Sequence, residues 1–305
     1  MSKAKTLGTI NGIIAATSYG TNPLFTLPLY SRGMEVNSVL FFRYTFAVAI
    51  YGIWLTFVKK VSLKLKRREI FPMFILAMLF SFSSLTLFDS FNYIEAGLAC
   101  TILFIYPIIV TVIMSLFYNE KMTIATLISL VSTFIGIILL YGGKPNETLS
   151  LHGIGLVLTS ALSYALYIVA VKNSKSIKKI SPKKLSFYVM LFGLSVYIFN
   201  LTFFTNLQIP SSPFMWLCLL SIAILPTIIS IETITIAIKL IGSTKTAILG
   251  ALEPLTAIFF GILFFNEHLT LKICIGIMLI IGGVILVINQ NNKKKKALWC
   301  EDVNG

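Results

Sequence analysis

The sequence is poor in charge, above all in negative charge. Asp and Glu number 11 in 305 residues, and charged residues of both signs make up 12%, where a soluble domain carries about 25%. A compact soluble protein of this length could not cover its surface with so few. Histidine is scarcer still. His152 and His268 stand far apart at the edges of apolar runs, and neither an HExxH nor a GxSxG pattern occurs, so no catalytic residue and no metal site is expected. No nucleotide-binding loop is present, which excludes a primary pump. The four cysteines make no disulfide framework: Cys100, Cys218 and Cys274 lie inside apolar runs as small hydrophobes, and Cys300 is a lone thiol near the C-terminus. What the chain has in excess is apolar. Hydrophobic residues reach 57% and aromatics 13%, with a mean hydropathy of +0.90. Disorder is excluded by that content. The class left is an all-α integral membrane protein, because only helices satisfy their own backbone in lipid when the apolar residues come in long runs.

Ten such runs are readable: Leu7–Tyr30, Asn37–Val58, Ile70–Ser90, Ala96–Tyr118, Thr123–Gly142, Leu151–Val171, Leu185–Phe204, Phe214–Ile236, Thr244–Phe265 and Leu271–Ile288. The first follows Lys3 and Lys5 like a signal peptide, but it is too long for one and reads as a span. The net charge of +14 would suggest nucleic acid in a soluble chain. Here the basic residues fill short segments between runs, so no nucleic-acid partner is expected and lipid is. With the N-terminus in the cytoplasm, 21 Lys and Arg fall inside, 3 fall outside (Arg32, Lys144 and Lys272), and Arg43 lies within a run. That bias sets both termini in the cytoplasm of a cell (inner or plasma) membrane.

The chain repeats itself. Leu116-Phe117-Tyr118-Asn119-Glu120 returns as Leu263-Phe264-Phe265-Asn266-Glu267, 147 residues on. Pro107 and Pro254 precede the two glutamates by 13 residues, and Thr123 and Gly136 match Thr270 and Gly283. Gly8 and Ser18-Tyr19-Gly20 match Gly153 and Ser163-Tyr164-Ala165 at an offset of 145. Five spans per repeat is an odd number, so the second repeat enters the membrane inverted. That arrangement is a mark of secondary transporters. The expected organisation is residues 1–145 as one five-helix repeat, 146–290 as its inverted copy, and 291–305 as a basic cytoplasmic tail.

These features resemble the drug/metabolite transporter superfamily, EamA type. The carrying residues are the Pro107-to-Glu120 pattern, its copy from Leu252-Glu253-Pro254 to Asn266-Glu267, and Gly282-Gly283. The likeness covers about Leu7 to Ile288. It implies ten helices, no cofactor, and export of amino acids or similar small metabolites by alternating access. Relatives of the same fold that carry sugar phosphates or nucleotide sugars supply the alternative. The chain departs from the family pattern at Asp89 and Glu95.

Ionisable groups within spans are costly and are candidates for function. Glu253 lies about 15 Å into its span, near the midplane. Pro254 beside it removes a helix hydrogen bond and frees a carbonyl. A carboxyl there suits a substrate amine or a proton. Arg43 suits a substrate carboxylate, or an ion pair with Asp89. Glu232 and Asp89 lie nearer span ends, where the reading as a solvated or interfacial charge competes. Tyr19 and Asn22 in span 1, Tyr164 in span 6, and Tyr106-Pro107, the repeat mates of Glu253-Pro254, complete the expected pathway, lined by spans 1, 3, 4, 6, 8 and 9. Interhelical bonding is the competing reading for these polar groups. Pro23 and Pro28 are expected to kink span 1. Asn119-Glu120 and Asn266-Glu267, with Thr123 and Thr270, read as helix-end structure. Asn146-Glu147-Thr148 is a sequon on an outer loop. An enzyme is not expected, and a receptor is the remote rival, since no ligand domain is visible. A phosphate carrier should present several Lys or Arg at mid-depth, and only Arg43 is available. The state expected is a monomer or homodimer.

Overall fold

In the computed structural model the described residues are 3–94, 96–120, 122–140, 150–265 and 271–303. Among them every regular element is helical. The helices are α1 (Lys3–Tyr19), α2 (Asn22–Tyr30), α3 (Val36–Ile53), α4 (Arg67–Ser90), α5 (Ala96–Leu103), α6 (Tyr106–Tyr118), α7 (Ile124–Leu140) and α8 (Leu151–Asn173). Then follow α9 (Lys175–Lys178), α10 (Pro182–Phe203), α11 (Pro213–Ala223), α12 (Ser230–Ile241), α13 (Ser243–Leu249), α14 (Leu252–Phe265) and α15 (Leu271–Val303). Lys121, Lys144, the sequon at Asn146, Glu95, and the segment holding Asn266, Glu267, His268 and Thr270 lie outside the described residues.

Seven helices among the described residues are long and apolar enough to cross a membrane: 36–58, 67–90, 98–118, 151–173, 182–203, 213–241 and 271–288. Three of the ten expected runs take another form. The first divides after Tyr19, because Pro23 cannot donate a backbone hydrogen bond and so begins a new helix at Asn22-Pro23 rather than continuing the old one. Pro28, by contrast, sits within α2 without breaking it. The ninth run divides at Gly250-Ala251, just before Glu253-Pro254. The fifth is a continuous but shorter helix, α7. The fourth run also turns at Phe104-Ile105, immediately before Tyr106-Pro107. Prolines 147 residues apart thus follow breaks at matching places. The last helix runs on past Ile288, through Lys293–Lys296, to Val303.

The packing pairs exchange when the repeats are exchanged. α1 lies against α12 and α8 against α4; α11 lies against α3 and α4 against α10; α7 packs on α15. The contacts repeat at the same offsets. Ser230 donates to the Ala15 carbonyl at 3.1 Å, and Ser83 and Ser160, their counterparts, bond at 3.0 Å. A Cβ on Gly136 would stand 2.7 Å from the Gly276 carbonyl oxygen, and one on Gly283 would stand 3.0 Å from that of Ser129. Such buried bonds between membrane helices are worth about 0.6 kcal/mol each. Each also fixes one register, and its copy fixes the equivalent register in the other repeat. The long connections follow the same rule. Segment 59–66 is held by Tyr188 on its Leu63 carbonyl, near the start of α10. Segment 205–212 is held near the start of α3, where Gln208 N–H donates to Ser38 at 3.0 Å.

Candidate functional site: a central cavity between two broken helices

The breaks in the first and ninth runs meet. A Cβ added to Gly20 would stand 2.4 Å from the Glu253 carbonyl oxygen, so the α1–α2 turn can lie on the α13–α14 turn only with glycine there. Around this contact is a cavity, with about 480 Å³ of empty space that is in part open to solvent. Tyr19, Asn22 and Pro23 line one side of it, and Glu253-Pro254 with Tyr106 line another. Leu87 and Phe88 of α4 with Phe91 just past its end, and Cys100 and Leu103 of α5 with the adjoining Phe104, make the rest of the wall apolar. Helix interruptions of this kind are tolerated at membrane depth where they border a cavity.

The Glu253 carboxyl has no hydrogen-bond or ion-pair partner among the described residues. Asn22 is buried, and neither its amide nitrogen nor its amide oxygen finds a partner there. Leaving such groups unpaired costs about 1–3 kcal/mol each. The buried Asn22 amide beside the partly buried Glu253 carboxyl is therefore an arrangement that a bound polar solute or water would relieve.

A tyrosine layer closes one end of the cavity. Tyr164 stacks on Tyr19 with ring centroids 6.5 Å apart and meets Tyr106 edge-on at 4.8 Å. Behind it Phe80 and Tyr167 pack at 5.0 Å. Tyr106 donates its hydroxyl proton to the Ala247 carbonyl at 3.1 Å, across the junction of the two repeats.

Of the residues expected from the sequence, Tyr19, Asn22, Tyr106, Glu253 and Pro254 face this cavity. Tyr164 does not; it stands one layer behind, because Tyr19 and Tyr106 cover its ring. Pro107 is buried at the first turn of α6, where Thr111 donates to its carbonyl. Spans 6 and 8 contribute no lining residue among those described. Arg43 is fully buried, with Nε on the Thr227 hydroxyl at 2.5 Å and Nη2 on the Pro226 carbonyl at 3.1 Å. Both partners lie on the π-helical turn, Ile224–Ile229, through which α11 passes into α12. The Arg43–Asp89 ion pair is not formed. Arg43 turns to the π-turn instead, and Asp89 accepts from Asn92 at 3.3 Å. Glu232 is away from the cavity, accepting from the Tyr51 hydroxyl at 2.7 Å.

Comparison with known proteins agrees with this architecture. The model of the EamA-like transporter family matches residues 6–142 and again 151–289. The chain belongs to the EamA-like transporter family. It is a multi-pass membrane transporter, and proteins of that kind meet small-molecule substrates and lipid. Three similar proteins are each named as an uncharacterized transporter. YvbV of Bacillus subtilis is 28% identical over 77% of each chain. YcbK of the same organism is 26% identical over 94% of this chain and 93% of its own. One from Archaeoglobus fulgidus is 28% identical over 63% of this chain and 67% of its own. A crystal structure at 17% identity aligns with a TM-score of 0.75 over 92% of this chain and 95% of that one, a likeness of fold.

Sequence reasoning about this EamA-like transporter passed over Phe88, Phe104 and Thr227. Aromatic and hydroxyl residues are abundant throughout the runs, and nothing in their local pattern marks the three that meet the cavity or Arg43.

Proposed function

We propose that this protein is a secondary transporter that exports amino acids or similar amine-bearing metabolites across the cytoplasmic membrane by alternating access. Its ten spans would form two inverted five-helix repeats, 1–145 and 146–290, with both termini and the 291–305 tail in the cytoplasm. The observation that carries the reading is the unpartnered Glu253 carboxyl on a largely apolar cavity, where two broken helices meet. A carboxyl so placed favours an ammonium group or a proton, since a cation entering the low-dielectric site gains the pairing the acid lacks. The apolar wall of Leu87, Phe88, Phe91, Leu103 and Phe104 suits a hydrocarbon body. The exchange of packing partners between repeats supports the inverted arrangement, because a rocking motion needs two equivalent ways to pack. No Lys or Arg lines the cavity among the described residues, which favours amino acids over sugar phosphates.

The test is flux from proteoliposomes loaded with a panel of labelled amino acids and of sugar phosphates, with and without a pH gradient. Amino-acid flux that Glu253→Gln removes supports the reading. Flux of sugar phosphates alone would replace it. Orientation is tested by labelling intact cells with a membrane-impermeant thiol reagent: Lys272→Cys should react and Lys66→Cys should not.

A further inference from the structure

The helix that brings Asn22 and Pro23 to the cavity carries a polar stripe beyond the lining residues. Asn22, Thr26 and Tyr30 recur every four residues on α2 and so share one face of it, the face that brings Asn22 and Pro23 to the cavity. All three carry buried polar atoms with no partner: both amide atoms of Asn22, Oγ1 of Thr26 and Oη of Tyr30. Thr26 is 0% exposed. Arg43 flanks this stripe. Its guanidinium lies 5.3 Å from the ring centroid of Phe88, a cavity residue, and α3, which carries it, packs against α2. Nε and Nη2 are taken by Thr227 and Pro226, while Nη1 is buried and unpartnered.

A row of orphaned hydroxyls and an amide beside a guanidinium with one free edge is poor as a core and good as a recognition site. Unpaired buried donors are rare because each is costly, so a run of them marks a place that something polar fills. Arg43 is held from one side by two bonds, which leaves Nη1 fixed in direction rather than free to fold back. That is the arrangement of a preorganised oxyanion receptor. We propose that the Asn22–Thr26–Tyr30 face of α2 and the free Nη1 of Arg43 form an anion station on the limb of the route between the central cavity and the Tyr30 end. There the carboxylate of the transported solute pairs with Nη1 and accepts from the Thr26 and Tyr30 hydroxyls. The station rests on the transport reading above and extends it: Glu253 and Arg43 become two stations of opposite charge, one for each end of a zwitterion.

The test uses reagent charge and needs no known substrate. In the full-length protein with its four native cysteines replaced, Thr26→Cys is reacted in detergent solution with sulfonatoethyl and with trimethylammonioethyl methanethiosulfonate. Each rate is divided by the same reagent's rate with 2-mercaptoethanol. The station predicts labelling, with the anionic reagent favoured by about tenfold or more, the scale of electrostatic focusing in a low-dielectric cleft. Arg43→Gln should remove that preference and Arg43→Lys should retain it. The reagent ratio alone decides the matter if Arg43→Gln fails to fold. Absence of labelling by both reagents, equal or cation-favouring ratios, or a preference that survives Arg43→Gln would each overturn the station. Anion preference in a protein without Glu253-dependent flux would support the station while sinking the transport reading, so the two fail separately.

Discussion

Tyr106-Pro107 and Glu253-Pro254 occupy the same place in the two repeats, and they have been put to different uses. Both follow a break in the helix, and both contribute to one cavity wall. The tyrosine hydroxyl reaches across the junction to a backbone carbonyl of the other repeat. The glutamate carboxyl finds no partner among the described residues. A second pair of mates differs in the same way: the chain breaks after Tyr19, where glycine follows, and runs straight through Tyr164, where alanine follows. The scaffold and the breaks before Pro107 and Pro254 are duplicated, but the carboxyl and the break after Tyr19 are not. On the proposed transport reading, symmetry serves the packing that a rocking motion would remake, while the acid at the second break needs no counterpart at the first.

That contrast is broken most severely at the charged member. Glu253→Gln keeps size and hydrogen-bonding capacity but removes ionisation. A charge-assisted hydrogen bond is worth about 1.5–3 kcal/mol, so flux should fall by about tenfold or more, or lose its dependence on pH, with the melting temperature unchanged. Normal flux at every pH tested would make Glu253 structural and move the search to Glu232 or Asp89.

The hinge is the next target. Gly20→Val should be destabilising by about 1–3 kcal/mol, the usual cost of forcing extra carbons into a packed site, because its Cβ meets the Glu253 backbone rather than a side chain that can turn away. A lower melting temperature with reduced flux is expected. Gly155→Val, where a Cβ meets nothing within 4 Å, is the control. Equal melting temperatures for both would show that the two turns do not lie in contact.

Tyr19→Ala and Tyr164→Ala separate wall from support. Tyr19 faces the cavity, so its loss should reduce flux while the protein stays folded. Tyr164 is packed among Tyr19, Tyr106, Tyr167 and Phe80, and its truncation should be destabilising by about 3–5 kcal/mol. From sequence the two tyrosines look equivalent, and thermal denaturation of the pair in the same detergent tells them apart.

Much of the frame is readable in the chain because lipid imposes it. Runs of apolar length, basic segments between them and prolines 147 residues apart are local or periodic signals, and the breaks at Pro23, Pro107 and Pro254 follow from a missing N–H. Glu253 stands out because a carboxyl in an apolar run has few bland explanations. What escapes the sequence is which partner a side chain finds. Arg43 turns to Thr227 and Pro226 rather than Asp89, on a π-turn 183 residues away from it, and no spacing rule forecasts that turn. Nor does periodicity reveal that Thr26 and Tyr30 lack partners, since orphaned atoms are a property of everything packed around them.

The smallest effect is expected at the uncharged mate. Tyr106→Phe keeps the ring, its contact with Tyr164 and the cavity wall, and deletes one hydrogen bond to the Ala247 carbonyl. That carbonyl still accepts from the Gly250 N–H at 3.1 Å, so no buried acceptor is orphaned, and the loss should stay near the net value of one ordinary hydrogen bond, about 1 kcal/mol. The melting temperature should drop slightly and flux should remain close to that of the unaltered protein, with its pH dependence intact. A loss of flux as deep as that of Glu253→Gln would give the hydroxyl a direct part in recognition. The two repeats would then share the chemistry as well as the scaffold, and the division of labour between Tyr106 and Glu253 would be wrong.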